Sequence, residues 1–251
     1  MTKLYEKSEL GFSLLFIAIY IIGASLADML SDLLGLSKII TFPFLLALSL
    51  VLFLWIKKNN LSQKYGLCQP KFSAKHFLFY LPLLILISVN FWFGVKLNYT
   101  ITESILNVVA MLCVGFVEEI IFRGFLFKAM EKNNVKSAIV VSSITFGFGH
   151  IINLFSSGLN NIIPNICQVF YATAVGFLFV IMFYKGGSLI ACILTHSLVN
   201  AFSVFQNTSA MTSTVEILIS LTIIAVAITY SIILFKILNK KDLIVKNTQT
   251  Q

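Results

Sequence analysis

SILNVVAMLCVGFVEEIIFRGFLF, Ser104 to Phe127, sets two glutamates and an arginine inside an otherwise apolar run. As an α-helix rising ~1.5 Å per residue, the run is long enough to cross ~30 Å of hydrocarbon. Glu118, Glu119 and Arg123 near its centre each cost roughly 2.5 to 3.5 kcal/mol to place in lipid, so they must face a protein interior. This segment therefore predicts both a membrane helix and a polar site within the bundle that surrounds it.

Comparable runs lie on either side, at about Leu10 to Met29, Ile39 to Ile56, Phe77 to Val95, Ala138 to Phe155, Ile166 to Tyr184, Ser188 to Phe205 and Val215 to Leu238. The chain of 251 residues is 58% hydrophobic and 11% charged, with a mean hydropathy of +0.94, outside the range of water-soluble domains. No alternating barrel pattern occurs, and backbone polar groups in lipid must be satisfied within each helix. The expected fold is all-α: a polytopic membrane protein, a bundle of about eight transmembrane helices forming one domain over residues 1–251. The first apolar run is too long for a signal-peptide core, although Ser25-Leu26-Ala27 imitates a cleavage site.

A net charge of +8 raises the question of nucleic acid, but the lysines flank helix ends instead of lining one surface. With eight spans, Lys3, Lys7, Lys57, Lys58, Lys64, Lys71, Lys75, Lys128, Lys132, Lys136, Lys185, Lys236, Lys240, Lys241 and Lys246 fall on one side. Only Lys38 and Lys96 fall on the other. The positive-inside rule then places both termini in the cytoplasm of a bacterial-type plasma membrane, with the lipid bilayer as the main partner and no nucleic acid. Cys113, Cys167 and Cys192 lie within spans and Cys68 in a cytoplasmic loop, so no disulfide framework is expected. Thr100 to Glu103 reads as a capping box. The two formal glycosylation sequons, at Asn98 and Asn207, are read as chance occurrences.

Arg123 is the single arginine among 18 basic residues, which points to a need for its planar, always-charged fork. Glu119 and Arg123, at i and i+4, share a helix face and pair, while Glu118 is turned about 100° away. Glu118 is thus expected to stand as an unpaired carboxylate facing a cavity, suited to a general base. His150 closes Phe146-Gly147-Phe148-Gly149-His150, where two glycines allow close helix approach. His196 and Asn200 lie one turn apart and present donors from one face. Counting from the flanking lysines, Glu118 lies ~15 Å deep, His150 ~21 Å and His196 ~16 Å, one layer to within about a turn. His76, at a helix entrance, is assigned no role, and Asp28 and Asp32 are read as the solvated outer end of the first helix.

In order and spacing these residues resemble the CAAX protease and bacteriocin-processing (CPBP, or Abi) membrane peptidases, which include the type II CAAX prenyl endopeptidases. A double glutamate with arginine four residues on matches Glu118, Glu119 and Arg123; Phe-x-x-x-His matches Phe146 and His150; His-x-x-x-Asn matches His196 and Asn200. The similarity covers about residues 101 to 206, and the first three segments and the last carry no matching motif. It implies an endopeptidase that works within the membrane with water entering from the cytoplasmic side. Glu118, helped by His150, would activate that water; His196 and Asn200 would donate to the oxyanion, and Glu119 and Arg123 would orient them. A zinc version would use Glu118, His150 and His196 as ligands, but no His-Glu-x-x-His sequence supports it and the metal-free form is preferred.

The implied substrate is a small membrane-associated peptide or protein tail. The wealth of Lys, Ile, Phe and Asn resembles an AT-rich bacterial genome, where a signalling peptide or bacteriocin precursor suits better than a prenylated protein. Two other classes compete. One is a non-catalytic bacteriocin self-immunity or peptide-binding protein; the other is a proton-coupled transporter, which predicts an inverted repeat that the sequence lacks. The oligomeric state is left open.

Overall fold

The computed structural model describes residues 1–152 and 162–249, with side chains as far as Leu238. Among them are eight apolar helices: α1 Glu9–Leu33, α2 Thr41–Lys58, α3 Leu81–Ser88, α4 Ile101–Glu131, α5 Val135–Gly149, α6 Ile162–Gly186, α7 Ile190–Ser203 and α8 Ser213–Gln249. The polytopic helical bundle expected from the hydropathy is therefore present. Six segments are long and apolar enough to cross a membrane, counting α3 with its flanks as Ala74–Phe91. The two helices that carry His150 and His196, α5 and α7, are shorter.

Three expected boundaries need correction. The third segment was read as a helix over 77–95, but its start is unwound: Leu78, Phe79 and Tyr80 all have positive φ, and regular helix begins only at Leu81. Pro82 suits this boundary, since proline is tolerated in the first turn of a helix, where its missing N–H is not needed. The fifth segment was expected to run to Phe155, which lies outside the described residues; α5 ends at Gly149, with His150 as its cap. The fourth segment is not α-helical throughout, because Glu119–Phe127 is π-helical, and all nine of these residues are buried.

This π segment is the hub of the bundle. It packs on α1 and α5, while the preceding α-helical half of α4 packs on α2 and α7, and α6 packs on α5 and α8. Leu14, Ile22, Leu26, Leu50, Leu54, Leu218 and Leu221 point outward, an apolar surface suited to lipid. Gly115 sets the α4–α7 distance: a Cβ there would lie 2.6 Å from Ser197 Cα. Gly147 does the same for α5 against α6, with Val169 O at 2.9 Å from an added Cβ. Gly149, expected to share that role, has nothing within 4 Å among the described residues.

The capping box is formed as expected, with Thr100 and Glu103 bonding reciprocally at the start of α4. At the lysine-rich end, Glu9 accepts from Lys64 at 2.8 Å and from Lys132 at 2.7 Å, joining α1, the α2–α3 loop and the end of α4. Burial works to lower the pKa of Lys64, but its hydrogen bonds to Glu9 and Tyr5 outweigh that and leave it raised.

Candidate active site

Within the π segment, Arg123 Nη1 stands 3.0 Å from Glu119 Oε1, the pair anticipated from the i and i+4 spacing. The same carboxylate oxygen meets His196 Nδ1 at 2.8 Å, so Glu119 ties α4 to α7. His196 Nε2 in turn lies 3.2 Å from Glu118 Oε2. Glu119 and Arg123 are fully buried, and Glu118 and His196 are 7% and 9% exposed. Close approach at Gly115 makes this possible, because it brings the α7 backbone against α4 one turn before the glutamates.

Glu118 is consequently not the unpaired carboxylate expected from helical phase. Besides facing His196, it accepts a 2.6 Å hydrogen bond from Tyr20 Oη of α1. The isolated helix phase could not show this, since both partners come from other helices. Tyr20 is a site residue that the motifs missed, on a helix where none was matched. A phenol in the middle of an apolar helix was the available signal, because a buried hydroxyl in lipid needs an acceptor.

Phe146 of the Phe-x-x-x-His motif acquires a physical reason. Arg123 Cζ lies 3.9 Å from its ring centroid, and the rings of His150 and His196 meet it edge-on at 5.3 and 5.6 Å. An aromatic face attracts a desolvated guanidinium whose nitrogens, among the described residues, form no hydrogen bond. His150 and Asn200 line the same cavity as Glu118 but form no hydrogen bond to the Glu118–Glu119–Arg123–His196 cluster among the described residues.

That cavity, of about 320 Å³, is bounded by Tyr20, Asp28, Lys38, Glu118, His150 and Asn200. Asp28, at the outer end of the first helix as expected and with 43% of its side chain exposed, also bonds Lys38 Nζ at 2.7 Å and accepts from Thr41 Oγ1 at 2.5 Å. A second, smaller space of about 90 Å³ adjoins it, sharing Phe146, His150, Gln168 and Asn200, with His196 in its wall. Among the described residues, the side chain of His76 hydrogen-bonds to Ser73 alone, at the exposed entrance of the third segment.

The donor set fits zinc only in part. Tetrahedral zinc bonds of ~2.0 Å would put two ligand atoms ~3.3 Å apart, close to the separation of Glu118 and His196. Glu119 also occupies the place of the carboxylate that orients a metal-bound histidine. His150 does not converge with them, and among the described residues no three His, Cys, Asp or Glu side chains could hold a metal ion.

Residues 100–202 match the family model described as type II CAAX prenyl endopeptidase, Rce1-like, the family that the motifs resemble. The matched segment contains all three motifs and ends just beyond Asn200. No curated protein and no solved structure matched the chain.

Proposed function

From the kinship of residues 100–202 with the type II CAAX prenyl endopeptidases, we propose that this multi-pass membrane protein hydrolyses a peptide bond at the Glu118 cavity. The observation that carries the reading is the placement of Glu118: it lies deep in the bundle, held by Tyr20 and His196, and open to a cavity.

Glu118 accepts a proton from a water that attacks the scissile carbonyl, and returns it to the leaving amine. His150, on the same cavity wall, assists that water. His196, held through Nδ1 by Glu119, then offers Nε2 together with Asn200 to the developing oxyanion, where each donor is worth a few kcal/mol in a dry site. Glu119, Arg123 and Phe146 act as positioning residues. The substrate is a membrane-associated peptide or protein tail, of the signalling-peptide or bacteriocin-precursor kind, and both termini of the enzyme lie in the cytoplasm.

The test compares membrane-associated peptides, by mass spectrometry, in cells carrying the wild-type protein or Glu118→Gln. A precursor should accumulate with the variant, and purified wild-type protein in liposomes should cleave it at least about 100 times faster. Identical peptide profiles, with the variant folded and inserted, would refute hydrolysis and favour the non-catalytic peptide-binding alternative.

The reaction proceeds on the side chains of the protein, without a metal. Purified active protein should contain zinc well below one equivalent, and chelation should leave its rate unchanged. Stoichiometric zinc whose removal abolishes cleavage would reverse this assignment.

A further inference from the structure

We propose that an apolar groove between α3 and α7 binds an anionic phospholipid from the leaflet on the lysine-rich side, with the lipid phosphate at Lys71 and an acyl chain along α7. Such a site stands whether or not Glu118 hydrolyses peptides.

The groove has a volume of about 720 Å³ and a graded wall. At the lysine-rich end its lining is polar, with Gln69, Lys71 and Ser73 from the α2–α3 loop and Ser188 from the α6–α7 turn. Deeper in, Leu83, Leu84 and Ile87 of α3 and Ile190, Leu194 and Leu198 of α7 make it apolar. From Ile190 to Leu198 the helix rises ~12 Å, close to the ~15 Å of hydrocarbon in one leaflet. Leu84 and Leu194 are each more than half exposed, so the groove opens sideways to lipid. An amphiphile with one charged end and a long apolar end fits that gradient. A peptide backbone laid in it would leave most of its amides unpaired against leucine and isoleucine.

Charge selects the head group. The groove is built from two stretches of chain, residues 33–102 and 132–215, and neither contains an aspartate or a glutamate. Lys38, Lys64, Lys128 and Lys132 each pair with a carboxylate, whereas Lys71 forms no ion pair or side-chain hydrogen bond among the described residues. Its place is nevertheless fixed. The Lys71 amide donates to Gly186 O at 2.8 Å, and its side chain lies across Gly187, where an added Cβ would come within 2.9 Å of Lys71 Cε. Lys75, four residues on, adds a second exposed cation at the same helix entrance. Basic pockets between transmembrane helices at a cytoplasmic surface bind anionic head groups, and by the positive-inside rule this end is cytoplasmic.

The inner end gives the lipid a structural task. The groove reaches Thr195, the neighbour of His196, and α3 on its other side is only eight residues long. An acyl chain seated there fills the space between the two helices and backs the one that carries His196.

Native mass spectrometry of the full-length protein in a mild detergent, titrated with phosphatidylglycerol or phosphatidylcholine of identical acyl chains, reads the site. Wild-type protein should take up phosphatidylglycerol as a single tight copy and hold it more strongly than phosphatidylcholine. One lysine near a membrane surface is worth about five-fold in affinity for an anionic lipid, so Lys71→Gln should weaken phosphatidylglycerol by about that factor and leave phosphatidylcholine unchanged. Leu194→Trp, which fills the groove from an exposed position, should weaken both lipids. Lys57→Gln, at the end of α2 and outside the groove, should weaken neither. Wild-type affinity in Lys71→Gln, or a loss in Lys57→Gln as large as in Lys71→Gln, would overturn the head-group assignment. Wild-type affinity in Leu194→Trp would overturn the groove as the site. Equal retention of the two phospholipids by wild-type protein would point to a site for the chain alone, such as the lipid anchor of a substrate, and would overturn the proposal as well.

Discussion

Glu118 takes its two contacts from α1 and α7, and neither could be read from its own helix. Tyr20 matters most here, because a short hydrogen bond to a carboxylate fixes that side chain in place. A hydrogen bond to a charged group contributes about 1.5–3 kcal/mol. Tyr20→Phe should therefore lower the Tm in detergent and lower kcat/KM for peptide hydrolysis in liposomes by about 10- to 100-fold. A wild-type rate in Tyr20→Phe would show that the phenol only fills space. The pairing of Glu119 with Arg123 was legible from spacing alone, since residues four apart meet in any helical register close to α. The engagement of Glu119 with His196, 77 positions later in the chain, was not.

At the scale of elements, the motif-bearing helices are the irregular ones. α4 widens into a π-helix from Glu119 to Phe127, and α5 stops at Gly149 beside the cavity. Such departures from α geometry concentrate at functional sites. The freed Phe122 carbonyl accepts a 2.8 Å hydrogen bond from Ser142 of α5, which secures the widened segment to its neighbour. Contact between α4 and α7 depends on Gly115. Gly115→Ala forces Ser197 outward and should cost about 1–3 kcal/mol, read as a lower Tm in detergent, and should pull His196 from the glutamates. Gly149→Ala meets no neighbouring atom among the described residues and should change the Tm far less. Equal effects of the two substitutions would contradict this account of the glycines.

At the scale of the whole molecule, buried rings around Phe125 fill the lysine-rich end of the bundle, and the described lining of the Glu118 cavity lies mostly toward the other end. Truncating a buried phenylalanine costs about 3–5 kcal/mol. Phe125→Ala should lower the Tm in detergent far more than Leu14→Ala, whose side chain faces outward. Equal effects would show that the rings around Phe125 do not hold this end together. The lysine distribution foretold which helix ends lie together, and the Glu9, Lys64 and Lys132 pairs join three of them. It could not foretell which end holds the cavity, because lysines report where segments end and not where side chains leave a gap.

By itself the sequence determined the class of fold and the candidate chemical groups. Apolar runs of this length have no stable state in water, and buried charges at fixed helical spacing are costly enough to mark a site. It determined the depth of that site too, since rise per residue is nearly constant along a helix. The tertiary structure decided which groups touch: Tyr20 and His196 on Glu118, Glu119 between Arg123 and His196, and Phe146 beneath Arg123. It also decided where helices unwind or widen, at Leu78 to Tyr80 and from Glu119 to Phe127. These features depend on side chains from separate helices competing for the same space, and that competition is settled only when the helices pack.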